Sequence, residues 1–381
     1  VLMGGIIPME KYSMPTRIYS GTDSLKELET LNNERILLVC DSFLPGSDTL
    51  KEIESHIKDN NKCEIFSDVV PDPPLDKIME GVQQFLKLKP TIVIGIGGGS
   101  ALDTGKGIRF FGEKLGKCKI NEYIAIPTTS GTGSEVTNTA VISDTKEHRK
   151  IPILEDYLTP DCALLDPKLV MTAPKSVTAY SGMDVLTHAL ESLVAKDANL
   201  FTVALSEEAI DTVIKHLVEC YRHGDNVDAR KIVHEASNIA GTAFNIAGLG
   251  ICHSIAHQLG ANFHVPHGLA NTMLLPYVIA YNAEHSEEAL HKFAIAAKKA
   301  GIAAPGVGDR LAVKRLIAKI REMARQMNCP MTLQAFGVDP AKAEELADTV
   351  VANAKKDATF PGNPVVPSDN DLKMVYEAII R

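Results

Sequence analysis

The 381-residue sequence lacks several features that would place it in a specialised class of protein. No apolar run approaches the ~20 residues that a membrane-spanning helix needs. Acidic residues outnumber basic ones, 48 to 39, and the net charge of −9 argues against a general nucleic-acid or anionic-membrane binder. Repeats and low-complexity segments are also missing, and 45% hydrophobic with 23% charged residues is the balance of a soluble globular protein.

Cysteine is present, but neither as a C-x-x-C pair nor in the density of a disulfide framework. Seven cysteines are dispersed along the chain, and such an odd set fits a reducing compartment. The apolar N-terminal stretch is short, lacks a basic region and is broken by Gly4, Gly5 and Pro8, which argues against a signal peptide. Met9 is interpreted as a natural start and residues 1–8 as an appended tail. We expect a cytoplasmic protein.

The first half of the chain has the pattern of an α/β fold. Short apolar runs bounded by Gly, Asp and Pro alternate with helical segments, which is typical of buried parallel strands with crossover helices. The predicted strands are 35–40, 62–66, 91–97, 123–127 and 162–166, and the alternation within 134–152 favours an added β-hairpin.

The second half is predicted to be helical, because the strand pattern stops near residue 175. An apolar stripe recurs every four residues at Leu205, Ala209, Val213 and Leu217, as on one face of a helix. Similar patterns run through 229–247, 286–300, 310–327 and 341–355. A chain of this length usually forms more than one domain. We therefore expect an α/β domain over residues 1–174 and a helical domain over residues 175–381.

A glycine-rich segment, IGIGGGSALDTGK at 94–106, follows the third predicted strand and opens a helix. Glycine lets the backbone approach a ligand, and a helix N-terminus offers free N–H groups to a phosphate. Ser100 adds a hydroxyl donor. The segment is neither a G-x-G-x-x-G fingerprint nor a P-loop, and a tight turn without a ligand is the alternative.

A second loop of the same kind, IPTTSGTGSEVT at 126–137, follows the next strand and alternates hydroxyl side chains with Gly131 and Gly133. Ligands of open α/β sheets bind at such strand ends, although a hydroxyl-capped turn is the simpler alternative. Two such loops in one half-chain favour a dinucleotide site. Asp41, at the end of the first predicted strand, suits a ribose contact that favours NAD over NADP, or an N-cap in its own loop.

Imidazole and carboxylate groups cluster in the second half at the spacing of a metal site. Asp184 and His188 are four residues apart on a predicted helix, as are His253 and His257, so each pair shares a face. His264 and His267 follow within the same segment. A carboxylate with several imidazoles suits Fe(II), Zn(II), Co(II) or Ni(II), whereas any single histidine of this kind is more often structural.

Spacing alone leaves His253, His257 and His267 all eligible as ligands. Cys252 is interpreted as a core residue, because neighbours on a helix point about 100° apart.

Five motifs in order resemble the iron-dependent (group III) alcohol dehydrogenase family, and the resemblance runs from about Tyr12 to Pro364. The motifs are GGGSALDTGK, PTTSGTGSEVT, GMDVLTHALES, GICHSIAHQLG and HVPHGLANTMLLP. Within the family, CDSFLPGS and VVPDPP are most similar to the propanol dehydrogenases of propanediol-utilisation microcompartments. The resemblance implies a Rossmann-like nucleotide-binding domain, a helical metal-binding domain and an active site between them.

Carried over residue by residue, the resemblance implies metal ligands at Asp184, His188, His253 and His267. His257 would lie near the nicotinamide without binding the metal, and it is the candidate proton relay. The implied cofactor contacts are Asp41, Gly98, Gly99, Ser100, Asp103, Thr128, Thr129, Thr132 and Lys150.

Two departures from the family pattern concern the cofactor. Asp72 stands where many members have Asn, which adds a negative charge opposed to NADP, and the surroundings of Lys150 differ from the most similar subfamily.

The expected activity is NAD(H)-linked interconversion of short primary alcohols and aldehydes, such as 1-propanol and propionaldehyde, with Fe(II) or Zn(II). We expect a homo-oligomer, and microcompartment enzymes are candidate partners. Within the same family the alternatives are lactaldehyde, 1,3-propanediol, butanol or glycerol as substrates. A metallohydrolase and a non-catalytic shell or scaffold protein are the alternatives of other classes.

Overall fold

A computed structural model describes residues 12–144 and 149–381, except the side chains of residues 144, 149 and 150. Residues 1–8, interpreted above as an appended tail, lie outside the described residues. Within the described ranges, the first part of the chain is an α/β sheet structure and the rest is helical.

The strands are β1 (Arg17–Ser20), β2 (Arg35–Asp41), β3 (Lys62–Val69), β4 (Ile92–Gly97), β5 (Glu122–Pro127), β6 (Thr139–Asp144), β7 (Arg149–Leu154) and β8 (Cys162–Leu165). Six of them form one parallel sheet in the order β1-β8-β5-β4-β2-β3, and β6 and β7 form a separate antiparallel hairpin. The five predicted strands and the predicted hairpin are thus confirmed. β1 escaped prediction because its four residues lie exposed at the sheet edge and form no apolar run.

Helices α1 (Asp48–Ser55), α2 (Leu75–Leu88), α3 (Gly99–Gly116) and α4 (Pro167–Met171) accompany the sheet. The helical part contains α5 (Lys175–Val194), α6 (Leu200–Arg222), α7 (Val227–Ala247), α8 (Ile251–Phe263), α9 (His267–His285), α10 (Glu287–Lys299), α11 (Asp309–Gln326), α12 (Leu333–Phe336), α13 (Pro340–Glu345), α14 (Ala347–Ala354) and α15 (Asp369–Glu377). The helix expected over 341–355 is in fact two, because Leu346 adopts ψ −1° and ends α13 before α14 begins.

Three hydrophobic clusters hold these layers together. Strand β2 contributes side chains to two of them. Ile36 and Leu38 face one side of the sheet, and Leu37 and Val39 face the other. The third cluster joins the helices from α5 onward. Among the described residues, no single helix is long and apolar enough to cross a membrane, although α7 and α8, joined at a 106° bend, reach that length and composition as a pair.

Candidate active site at the junction of the sheet and the helices

The glycine-rich loop leaves β4 at Gly97, whose φ of +143° favours glycine. A side chain at Gly97 would also overlap the carboxylate of Asp41, which lies at the tip of the neighbouring strand β2. Asp41 Oδ2 accepts a hydrogen bond from Gly98 N at 3.2 Å. Burial raises the pKa of Asp41, and the Gly98 hydrogen bond opposes the rise. The N-cap of α1 is Ser47, so Asp41 does not cap that helix. Its carboxylate instead accepts a hydrogen bond from the glycine-rich loop.

The two predicted phosphate loops lie side by side at the carboxyl ends of the adjacent strands β4 and β5. A Cβ added at Gly98 would lie 3.6 Å from Thr129 Oγ1, and one added at Gly99 would lie 2.7 Å from Thr132 Cγ2. Thr128 N donates to Gly97 O at 2.9 Å. The half-buried Ser100 stands in the first turn of α3, beside this contact. The structure therefore brings the glycines and threonines expected around the cofactor to one edge of the sheet.

Asp103 and Lys106 tie α3 to the second loop and to the hairpin that follows it. The two carboxylate oxygens of Asp103 accept hydrogen bonds from Ser134 Oγ at 2.7 Å and Val141 N at 3.0 Å. Lys106 Nζ donates to Ser134 Oγ at 2.9 Å and to two backbone oxygens of the same segment, at 2.8 Å each. Burial lowers the pKa of Lys106 to about 8, against the pull of Asp103 and Glu135.

A direct cofactor contact stays a prediction for Asp103. Lys150 pairs through its backbone with Ser143 across the β6–β7 hairpin, and its side chain lies outside the described residues. The predicted Lys150 contact therefore also stays a prediction.

Helix α7 holds the hydroxyl-rich loop from the helical side. Its contacts recur at helical spacing, on His234, Asn238, Gly241 and Asn245. Ser130 Oγ lies 2.9 Å from His234 Nδ1, and Asn238 Nδ2 donates to the buried Glu135 at 3.1 Å. These contacts join the hydroxyl-rich loop to the helical part of the chain.

The predicted metal ligands converge from three helices. Their donor atoms all lie within 4.8 Å of one another: Asp184 and His188 on α5, His253 on α8 and His267 on α9. Asp184 Oδ1 is 3.7 Å from Nε2 of both His253 and His267. Ligands at about 2.1 Å around a tetrahedral ion stand roughly 3.4 Å apart, so little movement is needed for these atoms to share one.

Asn271 marks the point on which these donor atoms converge. Its Nδ2 lies 2.7 Å from Asp184 Oδ1, 3.1 Å from His253 Nε2 and 3.3 Å from His267 Nε2. Its Oδ1 is buried and has no hydrogen-bond partner among the described residues. One carboxylate and three imidazoles facing a common point are ligands that Fe(II) or Zn(II) accepts. The residues present therefore fit a divalent metal.

Burial and charge prepare these side chains for a cation. Asp184, His188 and His253 are each at most 4% exposed, whereas the side chain of His267 is 40% exposed and opens the cluster to solvent. Burial would raise the pKa of Asp184, but the surrounding imidazoles hold it well below its usual range. Burial lowers the pKa of His188 to about 4, against the pull of Asp184.

His253 is the exception, because burial is outweighed by the carboxylates of Glu191 and Asp184, which raise its pKa to about 10. A metal cation would take the place of that proton.

Two glycines, Gly268 and Gly131, lie where the backbone comes close to α5. A Cβ at Gly268 would overlap the carbonyl of Tyr180, so this glycine lets α9 bring His267 against α5. A Cβ at Gly131 would lie 2.7 Å from Ser181 Cβ, also on α5. The hydroxyl-rich loop therefore lies directly on the helix that carries two of the four clustered donors.

His257 lies beside the cluster but outside it. Its ring stacks on that of His267 with centroids 5.3 Å apart, and its Nδ1 lies 2.7 Å from Asp357 Oδ2. His264 is an exposed residue at the end of α8 and does not join the site. Cys252 is fully buried, as predicted for a core residue.

Four residues or groups at the site were missed in the sequence. Glu191 and Asn271 could have been found, because they follow His188 by three residues and His267 by four on the same helices. The face of α7 that contacts the hydroxyl-rich loop could also have been found, because its polar and small residues recur in the sequence at helical spacing. Asp357 carried no signal, since it is 100 residues from His257 and lies after α14.

Phosphate-type loops at strand ends beside a buried carboxylate–imidazole cluster define the class of a metal-dependent, dinucleotide-linked oxidoreductase. Two family profiles match the chain: "Iron-containing alcohol dehydrogenase" over residues 15–167 and "Fe-containing alcohol dehydrogenase family, C-terminal" over residues 178–380. The chain belongs to the iron-containing alcohol dehydrogenase family.

Alignments with known proteins extend over almost the whole chain. It is 41% identical to "1-propanol dehydrogenase PduQ" of Citrobacter freundii, over 98% of this chain and 100% of that protein. It is 34% identical to the "NADPH-dependent butanol dehydrogenase" of Clostridium saccharobutylicum, over 97% of this chain and 98% of that one. Among solved structures, 1,3-propanediol oxidoreductase superposes with a TM-score of 0.90 at 30% identity, covering 97% of this chain and 99% of the other.

These comparisons confirm the fold and the reaction class expected from the sequence. The chain is an alcohol dehydrogenase that interconverts alcohols and aldehydes. The cofactors of this class are iron and a nicotinamide dinucleotide. The butanol dehydrogenase is NADPH-dependent by name, and the sulfoacetaldehyde reductase of Bifidobacterium kashiwanohense, 26% identical to this chain, was solved in complex with NAD⁺. The metallohydrolase and scaffold alternatives find no support.

Proposed function

We propose that the chain interconverts propionaldehyde and 1-propanol, or aldehydes and alcohols of similar size, with NAD(H). The proposed metal site is Asp184, His188, His253 and His267. The observation that carries the proposal is the convergence of these four donors beside the hydroxyl-rich loop. Relatives that act on 1-propanol and butanol support a short substrate.

The proposed metal would be Fe(II) or Zn(II). Bound there, it would act as a Lewis acid on the substrate oxygen. Asp184 would contribute a full negative charge, and the neutral ring of His188 would add a ligand without adding charge. The exposed side of His267 would leave an approach for the substrate.

The two loops of the α/β part would hold the cofactor. Gly98 and Gly99 leave room for a pyrophosphate at the start of α3, and Ser100, Thr128, Thr129 and Thr132 surround that room with hydroxyl groups. Asp41 would accept hydrogen bonds from the adenosine ribose and oppose a 2′-phosphate. Contacts of the cofactor with Asp103 and Lys150 are part of the same proposal.

His257 would move a proton between the substrate oxygen and solvent. Its Nδ1 is held by Asp357, so Nε2 is the atom left for the relay. The His257 side chain is 25% exposed, which gives that atom a route to water.

The domain boundary, the assembly and the location are also proposals. We place the boundary at residues 174–175, where α5 begins after Pro174. The exposed edge strand β1, with Ile18 48% exposed, supports a homo-oligomer. We also propose a cytoplasmic enzyme, inside a microcompartment with other enzymes of propanediol use, because the chain resembles the PduQ 1-propanol dehydrogenases.

The test is anaerobic activity of stripped protein reconstituted with Fe(II) or Zn(II). NADH oxidation would be followed with propionaldehyde, butanal, lactaldehyde, 3-hydroxypropanal and dihydroxyacetone as substrates. We expect the highest kcat/KM with propionaldehyde. A higher value for another carbonyl compound would move the assignment to lactaldehyde, 1,3-propanediol, butanol or glycerol, and activity without any metal would contradict the proposed site.

A further inference from the structure

Glu191 is a buried carboxylate whose two oxygens make different hydrogen bonds. It lies on α5, one turn beyond His188, and is 4% exposed. Oε1 accepts from Cys252 N at 2.8 Å, at the start of α8. Oε2 is hydrogen-bonded to Nδ1 of His253. The Glu191 side chain therefore binds both the N-terminus of α8 and the ring of His253.

The start of α8 is a favourable place for this carboxylate. The first N–H groups of a helix lack intrahelical partners and carry partial positive charge. Gly250 precedes the helix, and a Cβ there would lie 3.1 Å from Glu191 Oε1 and 2.6 Å from Asn363 Oδ1. Asn363 Oδ1 accepts from Ile251 N at 3.4 Å, next to the Glu191 contact. Glycine before the helix thus lets two acceptors reach the helix end.

The ring of His253 can offer its Nε2 lone pair to the cluster only if the other nitrogen carries the proton. Glu191 accepts a hydrogen bond from Nδ1 and thereby favours that tautomer. The same hydrogen bond sets the rotation of the ring, because the backbone of His253 is fixed by the adjacent Cys252 contact. Ligating histidines are commonly held by a carboxylate in this way.

We propose that Glu191 is the positioning residue of the metal centre: it fixes the tautomer and the rotation of His253 so that Nε2 faces Asp184 and His267. The proposal rests on the proposed assignment of His253 as a metal ligand. It gives Glu191 no contact with the substrate or cofactor.

Glu191→Gln is the sharpest single test, because the amide has nearly the same shape but only one acceptor oxygen. If that oxygen accepts from Cys252 N, the NH₂ group faces Nδ1 and favours the tautomer with a proton on Nε2. If it accepts from Nδ1, an N–H group faces the N–H of Cys252. The first arrangement gives His253 the wrong tautomer, and the second places two N–H groups against each other at the start of the helix that carries His253. We therefore expect Co(II) to bind about 10–100-fold more weakly.

Co(II) affinity would be measured on the full chain by competition with a chromophoric chelator, together with the visible bands of the Co(II) protein. The matched control is Asp357→Asn, which removes the carboxylate from the other α8 histidine, His257. We expect that control to keep the Co(II) dissociation constant within about threefold of the wild type, because His257 lies outside the cluster.

A double-mutant cycle separates positioning from a general structural effect. In a His253→Ala background, adding Glu191→Gln should change Co(II) affinity by less than about threefold, since the ring on which Glu191 acts is gone. An undiminished effect in that background would overturn the proposal. So would wild-type affinity and bands in Glu191→Gln alone, provided that Asp184→Ala loses Co(II).

Co(II) binding retained by Asp184→Ala would instead overturn the metal assignment itself, and the role of Glu191 with it. Should Glu191→Gln fail to fold, ¹⁵N-histidine NMR of the Zn(II)-loaded wild type decides the matter. The signals lost in His253→Ala must then come from a ring with its proton on Nδ1. A proton on Nε2 would overturn the proposal.

Discussion

Gly133 in the hydroxyl-rich loop and Gly241 in α7 bring two backbones into direct contact. A Cβ added at Gly241 would lie 2.8 Å from Gly133 Cα, and one added at Gly133 would lie 2.6 Å from Gly241 Cα. Gly133 also has a φ of +63°, which favours glycine. This contact sets the distance between the hydroxyl-rich loop and α7.

Gly241→Ala should therefore raise KM for NADH several-fold, because the methyl group pushes the loop away from α7. Overpacking costs about 1–3 kcal/mol, whereas alanine in a helix gains at most about 1 kcal/mol over glycine. We expect a small net loss of stability by denaturant unfolding. Gly306→Ala is the control, because a Cβ there would meet no described heavy atom within 4 Å apart from those of its chain neighbours. An unchanged KM in Gly241→Ala would contradict this account of the contact.

Asp184→Ala should abolish metal retention and activity while leaving NADH binding largely intact. Asp184 is the only carboxylate among the four clustered donors, and its loss leaves three imidazoles as the remaining donors. Metal content by elemental analysis and NADH affinity by fluorescence titration would test both halves of the prediction. Full activity of a metal-free variant would refute the proposed role.

Asp41→Gly should improve the use of NADPH relative to NADH. The Asp41 carboxylate lies at the glycine-rich loop, where it would repel a 2′-phosphate, and the substitution removes that charge. The measurement is the ratio of kcat/KM for the two cofactors, with metal content as the control. An unaltered ratio would remove Asp41 from the cofactor site.

His257→Ala should lower kcat by roughly 100-fold while the metal is retained, because the ring is proposed as a proton relay and not as a ligand. Asp357→Asn, which leaves the ring in place, should give a smaller decrease. The two variants would be compared by steady-state kinetics and metal analysis. Metal loss in His257→Ala would place His257 among the ligands instead.

Lys106 should make stability depend on pH in the alkaline range. Its folded pKa of about 8 lies below the usual 10.5, so the unfolded chain binds the proton more tightly. The contribution of Lys106 is fully present above pH 10.5 and is lost as pH falls through about 8. Lys106→Met removes this dependence and also leaves Ser134 and the neighbouring carbonyls without their donor.

The free energy of unfolding of wild type minus variant should accordingly rise between about pH 8 and pH 10.5. The rise should be on the order of 3 kcal/mol at most. Denaturant titrations of both proteins across that range would measure it. A constant difference would mean that Lys106 titrates normally in the folded protein.

The sequence predicted the elements whose patterns are local. Buried strands such as β4 appear as apolar runs, and the donors Asp184 and His188 on α5 appear as a pair four residues apart. Edge strand β1 had no such pattern, because solvent places no demand on the polarity of Ile18 or Tyr19. Asp357 was missed for a different reason: its contact with His257 joins distant parts of the chain, and neither flanking segment marks it.

All four clustered donors belong to the helical half, whereas the glycine and hydroxyl loops belong to the sheet half. At the proposed metal site, exchanging one transition metal for another would thus call for changes around α5, α8 and α9. Altering coenzyme preference would call for changes at the strand tips, on a separate set of residues. If both proposed sites hold, selection could change metal preference and coenzyme preference through different sets of residues.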